Sequence, residues 1–160
     1  MTQQYTPEHV RAFLAPFGVS VVEISADTST APLAAKALGT SVGSIAKSLL
    51  FMVGSEPVLV IASGDKTVDE DLLSALSGSA GVHVRLAKPS EVLSCTGYRV
   101  GGVPPVALRS EMRVLMDRTL LRYDTVYAAA GAADAIFPIA PDRLRVISGA
   151  EVVEIVRSQK

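Results

Sequence analysis

Two apolar runs of five residues, Leu49–Val53 and Val58–Ala62, lie on either side of Gly54-Ser55-Glu56-Pro57. This is the feature that most restricts the fold. It reads as a hairpin, Ser44–Val53 paired with Val58–Ala62 across a four-residue turn. Five apolar residues fall far short of the about 20 that a membrane-spanning helix needs.

Helices and further strands alternate around this hairpin. Thr6-Pro7-Glu8 opens a helix, with Thr6 as cap, Pro7 at the first position and Glu8 at the positive end. Val10, Phe13, Leu14 and Phe17 form its apolar stripe, and Gly18 stops it. Val19–Ile24 reads as a strand and Thr30–Leu38 as a second helix, ended by Gly39. Asp69–Leu76 is helical. Val82–Leu86 is a short strand, and Pro89–Cys95 a short helix ending at Gly97. Strands are expected at Arg113–Asp117, Thr125–Ala130 and Ala135–Ile139. A helix follows at Pro141–Ile147, and Val152–Val156 is a last strand or helix end. The elements follow no strict βαβ rhythm, which predicts an α+β chain with a largely antiparallel or mixed sheet. No linker or repeat divides the 160 residues, so one domain is expected.

Composition removes several functions. Hydrophobic residues make up 49% and charged residues 19%, which excludes a disordered chain. Fifteen Lys and Arg against sixteen Asp and Glu leave a net charge of −1, too little cation for a general nucleic-acid coat. Cys95 is the one cysteine, so neither an internal disulfide nor a cysteine-based zinc site is available. With His9 and His83 the only histidines, no metal site and no cofactor are expected. The polar N-terminus does not read as a signal peptide, and a soluble, cytoplasmic protein without membrane attachment is expected.

The catalytic signatures mostly fall to ordinary readings. Gly39-Thr40-Ser41-Val42-Gly43 matches the G-x-S-x-G nucleophile pattern, but that pattern needs a strand before it and a helix after it. Here the order is reversed, and a cap and turn fit better. Cys95 reads as a small buried hydrophobe, and His83 as a structural or solvent-facing strand residue. Two segments resist this treatment. Lys47 shares a strand face with Ile45, Leu49 and Phe51, and a cation among core-type residues costs free energy. It is either a snorkelling edge lysine or a cation held to meet an anion. Gly97-Tyr98-Arg99-Val100-Gly101-Gly102-Val103-Pro104-Pro105 combines approachable with stiff backbone. It is either a rigid connection or a loop whose N–H groups line an oxyanion site. Arg109, Arg113, Arg118 and Arg122 crowd one stretch, as a solvated face or as phosphate contacts.

The ordered set of Ala46-Lys47-Ser48-Leu49, Ser63-Gly64-Asp65-Lys66-Thr67-Val68-Asp69, Gly97-Tyr98 through Gly101-Gly102-Val103-Pro104-Pro105, and Ala130-Gly131 with Asp134-Ala135-Ile136 resembles the YbaK/ProX family. These are trans-acting aminoacyl-tRNA deacylases related to the editing domain of bacterial prolyl-tRNA synthetases. The resemblance runs roughly from Thr30 to Val156. It implies a compact mixed fold around a curved, barrel-like sheet with surrounding helices. It also implies hydrolysis of the ester between a wrong amino acid and the 3′-terminal adenosine of tRNA. Lys47 and Gly101 are the implied catalytic positions. Gly102, Val103, Pro104, Pro105, Gly131 and Asp134 are the implied substrate-binding ones.

The resemblance further implies that the ribose 2′-hydroxyl helps activate water, since no histidine lies in a matched segment. Mischarged tRNA, most readily tRNA(Pro), is the implied partner at its CCA end, with prolyl-tRNA synthetase as a candidate partner. The expected assembly is a monomer or weak homodimer. Alanine, cysteine, serine and threonine are all eligible substrates. Ala128-Ala129-Ala130 stands where the cysteine-specific deacylases carry a serine, which leans toward a small uncharged side chain, with alanine or cysteine first. A noncatalytic tRNA- or synthetase-binding module, and a serine hydrolase using Ser41, remain as rival readings.

Overall fold

The hairpin of apolar runs sits at the middle of an eight-stranded sheet in the computed structural model, which describes residues 3–78 and 81–157. In chain order the elements are α1 (Pro7–Leu14), β1 (Val22–Glu23), α2 (Ala31–Leu38), β2 (Ile45–Val53), β3 (Glu56–Ser63), α3 (Glu70–Leu76) and β4 (Val84–Leu86). There follow α4 (Pro89–Thr96), β5 (Arg113–Asp117), β6 (Val126–Ala129), β7 (Ala135–Ile139), α5 (Pro141–Ser148) and β8 (Glu151–Val153). The strand order is β1-β7-β6-β2-β3-β5-β8, with β4 pairing β2 off this path. The sheet is curled but not closed.

The helix ends follow local chemistry. Thr30 accepts the Leu33 N–H, and Asp69 accepts from Asp71 and Leu72, so polar side chains cap α2 and α3. At α1 the Thr6 N–H instead donates to Nδ1 of His9 at 3.0 Å, which gives that histidine a structural use. α2 stops at Gly39, whose φ of 66° lies in the left-handed region that glycine enters without steric cost.

Both faces of β2 are covered, which explains why the hairpin reads as continuous apolar runs rather than an alternating pattern. Ala46 and Leu50 enter one core cluster with Leu59, Ile61, Val103 and Phe137. Phe51 and Val53 enter another with Val58, Val60, Leu73 and Ile155. The pairing of β2 with β3 runs from Ala46↔Ser63 to Val53↔Glu56, so the expected four-residue turn tightens to Gly54-Ser55, with Gly54 at a φ of 62°, and Glu56 and Pro57 join the strand.

The sheet is mixed, one of the two arrangements expected: β1–β7, β2–β3, β2–β4 and β6–β7 pair antiparallel, while among the described residues β2–β6, β3–β5 and β5–β8 are parallel. Each parallel pair joins strands separated by intervening helices, and such crossovers return a strand in the same direction. One expectation needs correction: the strand expected over Val19–Ile24 contracts to the exposed pair Val22–Glu23 against β7, although Val19 and Val21 still pack against the core and the Ile24 N–H reaches the Asp134 carbonyl at 2.8 Å. The last segment divides: Glu151–Val153 pairs with β5, and Val156 then bridges to Val68.

One detail of topology positions the site. On one edge β2 pairs β6 only through Ile45 and Ala46, and β4 only through Phe51–Val53. Between them, residues 47–49 face no strand on that side. The Ala87 N–H reaches the Leu50 carbonyl at 2.9 Å and closes the far end of the gap.

Candidate active site

A cavity of about 240 Å³ fills this gap in the sheet. The β2 edge lines it through Lys47, Ser48 and Leu49, opposite Val100, Gly101 and Val103 of the glycine-proline loop. Ala128 and Ala129 of β6 form another wall, and Thr28, Ser29 and Thr30 lead into it ahead of α2. Its surface is mostly aliphatic, so a charge or hydrogen bond placed there acts in a low-dielectric setting.

Lys47 carries the one cationic side chain among the lining residues. Its Nζ donates to the Lys66 carbonyl at 2.7 Å. Burial holds the ammonium below the ordinary lysine range, and the Asp65 carboxylate opposes that shift. Asp65 is itself braced: Ser63 Oγ donates to it at 2.9 Å and Arg122 at 3.1 Å. Burial works against ionising Asp65, but these hydrogen bonds and the arginine charge outweigh it and hold its carboxyl below the usual range. The one Ser63 hydroxyl proton is shared between Asp65 and the Gly43 carbonyl, and Arg122 donates to Ser63, so the loop after β3 is fixed from two sides. The lysine therefore stands in a defined place without a direct carboxylate partner.

The loop opposite shows a division of labour. The Gly102 N–H is held by the Arg99 carbonyl at 3.1 Å. No described residue accepts from the N–H of Gly101 or of Val103. Gly102 is needed for packing, since a Cβ there would meet the main chain of Ala132 at 2.8–3.0 Å. Its carbonyl accepts from Gly131 N–H at 2.9 Å, and a Cβ on Gly131 would meet Pro7 N at 2.9 Å.

The structure thus brings Lys47, Gly101 and Val103 to one cavity. Gly102 and Gly131 back the loop, Pro104 and Pro105 are buried behind it, and none of the four is among the lining residues. Asp134 is exposed, and its carbonyl accepts the Ile24 N–H at 2.8 Å. Thr28–Thr30, Ser48 and Tyr127 escaped the sequence reading. Ser48 Oγ is buried and has no hydrogen-bond partner among the described residues. Only its place beside Lys47 could have signalled it. Asp65 lay within a quoted motif, but its link to Arg122 spans 57 residues and is invisible in sequence.

The rival signatures stand elsewhere. Ser41 precedes a 3-10 turn at the start of β2, while the His83 carbonyl accepts the Gly54 N–H at the other end of that strand. Cys95 packs against the main core cluster. The arginine stretch is engaged within the protein. Arg113 pairs with Glu151, Arg118 with Glu154 and Arg122 with Asp65, while Arg109 lies over the Tyr5 ring. Among the described residues no group of His, Cys, Asp and Glu is arranged to hold a metal, and no helix is long and apolar enough to cross a membrane.

Comparison with known proteins agrees with this geometry. YwhH of Bacillus subtilis (strain 168), an uncharacterized protein, is 33% identical over 133 residues, covering 82% of this chain and 83% of that protein. The multifunctional Ser/Thr-tRNA deacylase ProXp-y of Escherichia coli (strain K12) is 32% identical over 101 residues, covering 60% of this chain and 59% of that one. A crystal structure described as a candidate trans-editing enzyme for prolyl-tRNA synthetase superposes with a TM-score of 0.87 at 35% identity, over 95% of this chain and 97% of that one. The family model of the aminoacyl-tRNA editing domain matches residues 25–147, and the chain belongs to that family.

Proposed function

We propose that this aminoacyl-tRNA deacylase hydrolyses the ester joining a small, mischarged amino acid to the 3′-terminal adenosine of a tRNA, tRNA(Pro) first among them. The observation that carries the reading is the meeting of Lys47 with the Gly101–Val103 loop in one small cavity at the β2 edge. Water adds to the ester carbonyl, and the resulting oxyanion needs donors already in place. The free N–H groups of Gly101 and Val103 suit that oxyanion. The Lys47 ammonium suits the terminal phosphate or the carbonyl as an electrostatic contact rather than as a nucleophile. Collapse of the intermediate returns the electron pair to the ribose oxygen and releases the free amino acid.

No histidine or carboxylate side chain lines the cavity. This supports the substrate's own 2′-hydroxyl as the group that helps activate water. The modest volume supports a small side chain. A synthetase separates amino acids that differ by one methylene by only about 1–3 kcal/mol, so a second site that hydrolyses the small errors supplies the missing discrimination. We assign the same chain a cytoplasmic setting beside prolyl-tRNA synthetase. The test is a deacylation screen of alanyl, cysteinyl, seryl and threonyl tRNA(Pro) with purified protein. Hydrolysis of at least one above the buffer rate is expected. Tight tRNA binding with no hydrolysis of any would instead establish the noncatalytic binding module.

A further inference from the structure

The arginine stretch, open in sequence between a solvated face and phosphate contacts, is paired within the fold, which directs attention to cations elsewhere for the acceptor end. The geometry points to a docking surface for the unpaired 3′ nucleotides formed by Leu86, Lys88, Arg99 and Val100 at the cavity mouth. This inference rests on the deacylase reading and adds to it the surface that receives the single-stranded end.

Three observations support it. Leu86 and Val100 both line the cavity, yet they are 56% and 64% exposed. They come from separate segments, the end of β4 and the glycine-proline loop, so the mouth has an apolar lip on two sides. Such lips suit the face of a base, whose burial replaces water on apolar carbon. Next, each lip residue has a cation close in sequence, Lys88 two residues after Leu86 and Arg99 directly before Val100. Both cations are exposed. Finally, neither forms an ion pair among the described residues; Arg99 meets only the neutral Gln4 amide oxygen, at 3.0 Å. Arg113, Arg118 and Arg122 are each paired with a carboxylate. The Glu91 carboxylate near Lys88 is held by Arg85, which leaves the lysine side chain without an ion pair, and phosphates are drawn to cations free of such pairs. An entering 3′ strand would therefore lay its phosphates along Lys88 and Arg99, and its terminal base on Leu86 or Val100. Its ester would then reach the Gly101 N–H.

The experiment is single-turnover deacylation over a range of enzyme and salt concentrations. It compares wild type, Lys88→Gln/Arg99→Gln, Leu86→Ser/Val100→Ser and, as control, Arg113→Gln/Arg118→Gln. The Lys88/Arg99 variant is expected to raise the half-saturating concentration by about tenfold with little change in the saturated rate. It should also lower the salt slope of log K by about 0.7 for each cation removed, the value for single strands. The Leu86/Val100 variant should raise the half-saturating concentration without altering the salt slope, which separates base contact from charge. The control should match wild type. Unchanged half-saturation and slope in the Lys88/Arg99 variant, or a loss confined to the Arg113/Arg118 control, would overturn the docking surface while leaving the deacylase reading intact. Absence of hydrolysis by wild type would overturn the deacylase reading itself.

Discussion

Replacing Lys47 by methionine separates the chemistry of the site from its stability. The variant keeps an unbranched stem of similar length in β2 and removes only the ammonium. In the folded state it loses the 2.7 Å hydrogen bond to the Lys66 carbonyl. A hydrogen bond to a charged group contributes about 1.5–3 kcal/mol. Against that stands the cost of holding the charge in a partly buried strand, and the lowered pKa of Lys47 shows that the folded surroundings disfavour the charge relative to water. The two effects oppose each other, so the net change should stay within about 1 kcal/mol, which moves Tm by about 2–4 °C in a chain of this size.

The sign with pH follows from the same shift. A base whose pKa falls on folding binds fewer protons folded than unfolded, so its contribution to stability rises with pH toward the unfolded lysine value of 10.5. The methionine variant should lack that alkaline gain. Deacylation should respond on another scale. Loss of one preorganised charge contact costs about 10²–10³ in rate, far more than a 1 kcal/mol change in folding can produce in a protein that remains folded. The measurement is single-turnover hydrolysis of mischarged tRNA(Pro) beside thermal melting. Lys47→Arg should also be slow, because a planar fork replaces a compact ammonium. A methionine variant that melts within a few degrees of wild type and hydrolyses at the wild-type rate would refute the reasoning.

Other residues yield separable outcomes. Asp65→Asn removes the carboxylate that supports the Lys47 ammonium, so the alkaline limb of the buffer-corrected rate should move to lower pH; an unmoved limb would confine Asp65 to the loop's structure. Asp117 is buried and accepts from the N–H groups of Thr119 and Ile155, each at 3.0 Å. Asp117→Ala should therefore cost about 3 kcal/mol and lower Tm by roughly 6–12 °C, and a shift below about 2 °C would count against it. The Arg85 hydrogen bond, with the Lys88 N–H, holds Glu91 down at about 2. Its stabilising effect is present above the unfolded value of 4.5 and lost as pH falls through about 2. Glu91→Gln should flatten the acid side of the melting profile, and an identical acid limb in both proteins would dismiss the pair.

Much of the fold was legible because it depends on short-range chemistry. The apolar runs Leu49–Val53 and Val58–Ala62, Pro7, Pro89 and Pro141 at helix starts, and Gly39, Gly97 and Gly149 at helix ends act on their immediate neighbours. An apolar strand cannot hide Lys47 from a reader, and paired glycines followed by paired prolines announce a stiff, approachable loop. Sequence also carried the ordered motifs that mark the family. It did not show that β6 and β4 each cover only part of one β2 edge, because the β2–β6 pairing joins residues 82 positions apart, as in Ile45↔Tyr127. That incomplete pairing makes the cavity. Tertiary structure likewise decided the fate of the cations. Arg113 and Arg118 found Glu151 and Glu154, while the side chains of Lys88 and Arg99 form no ion pair among the described residues. A charge's partner is set by where the chain returns in space, and composition counts both kinds alike.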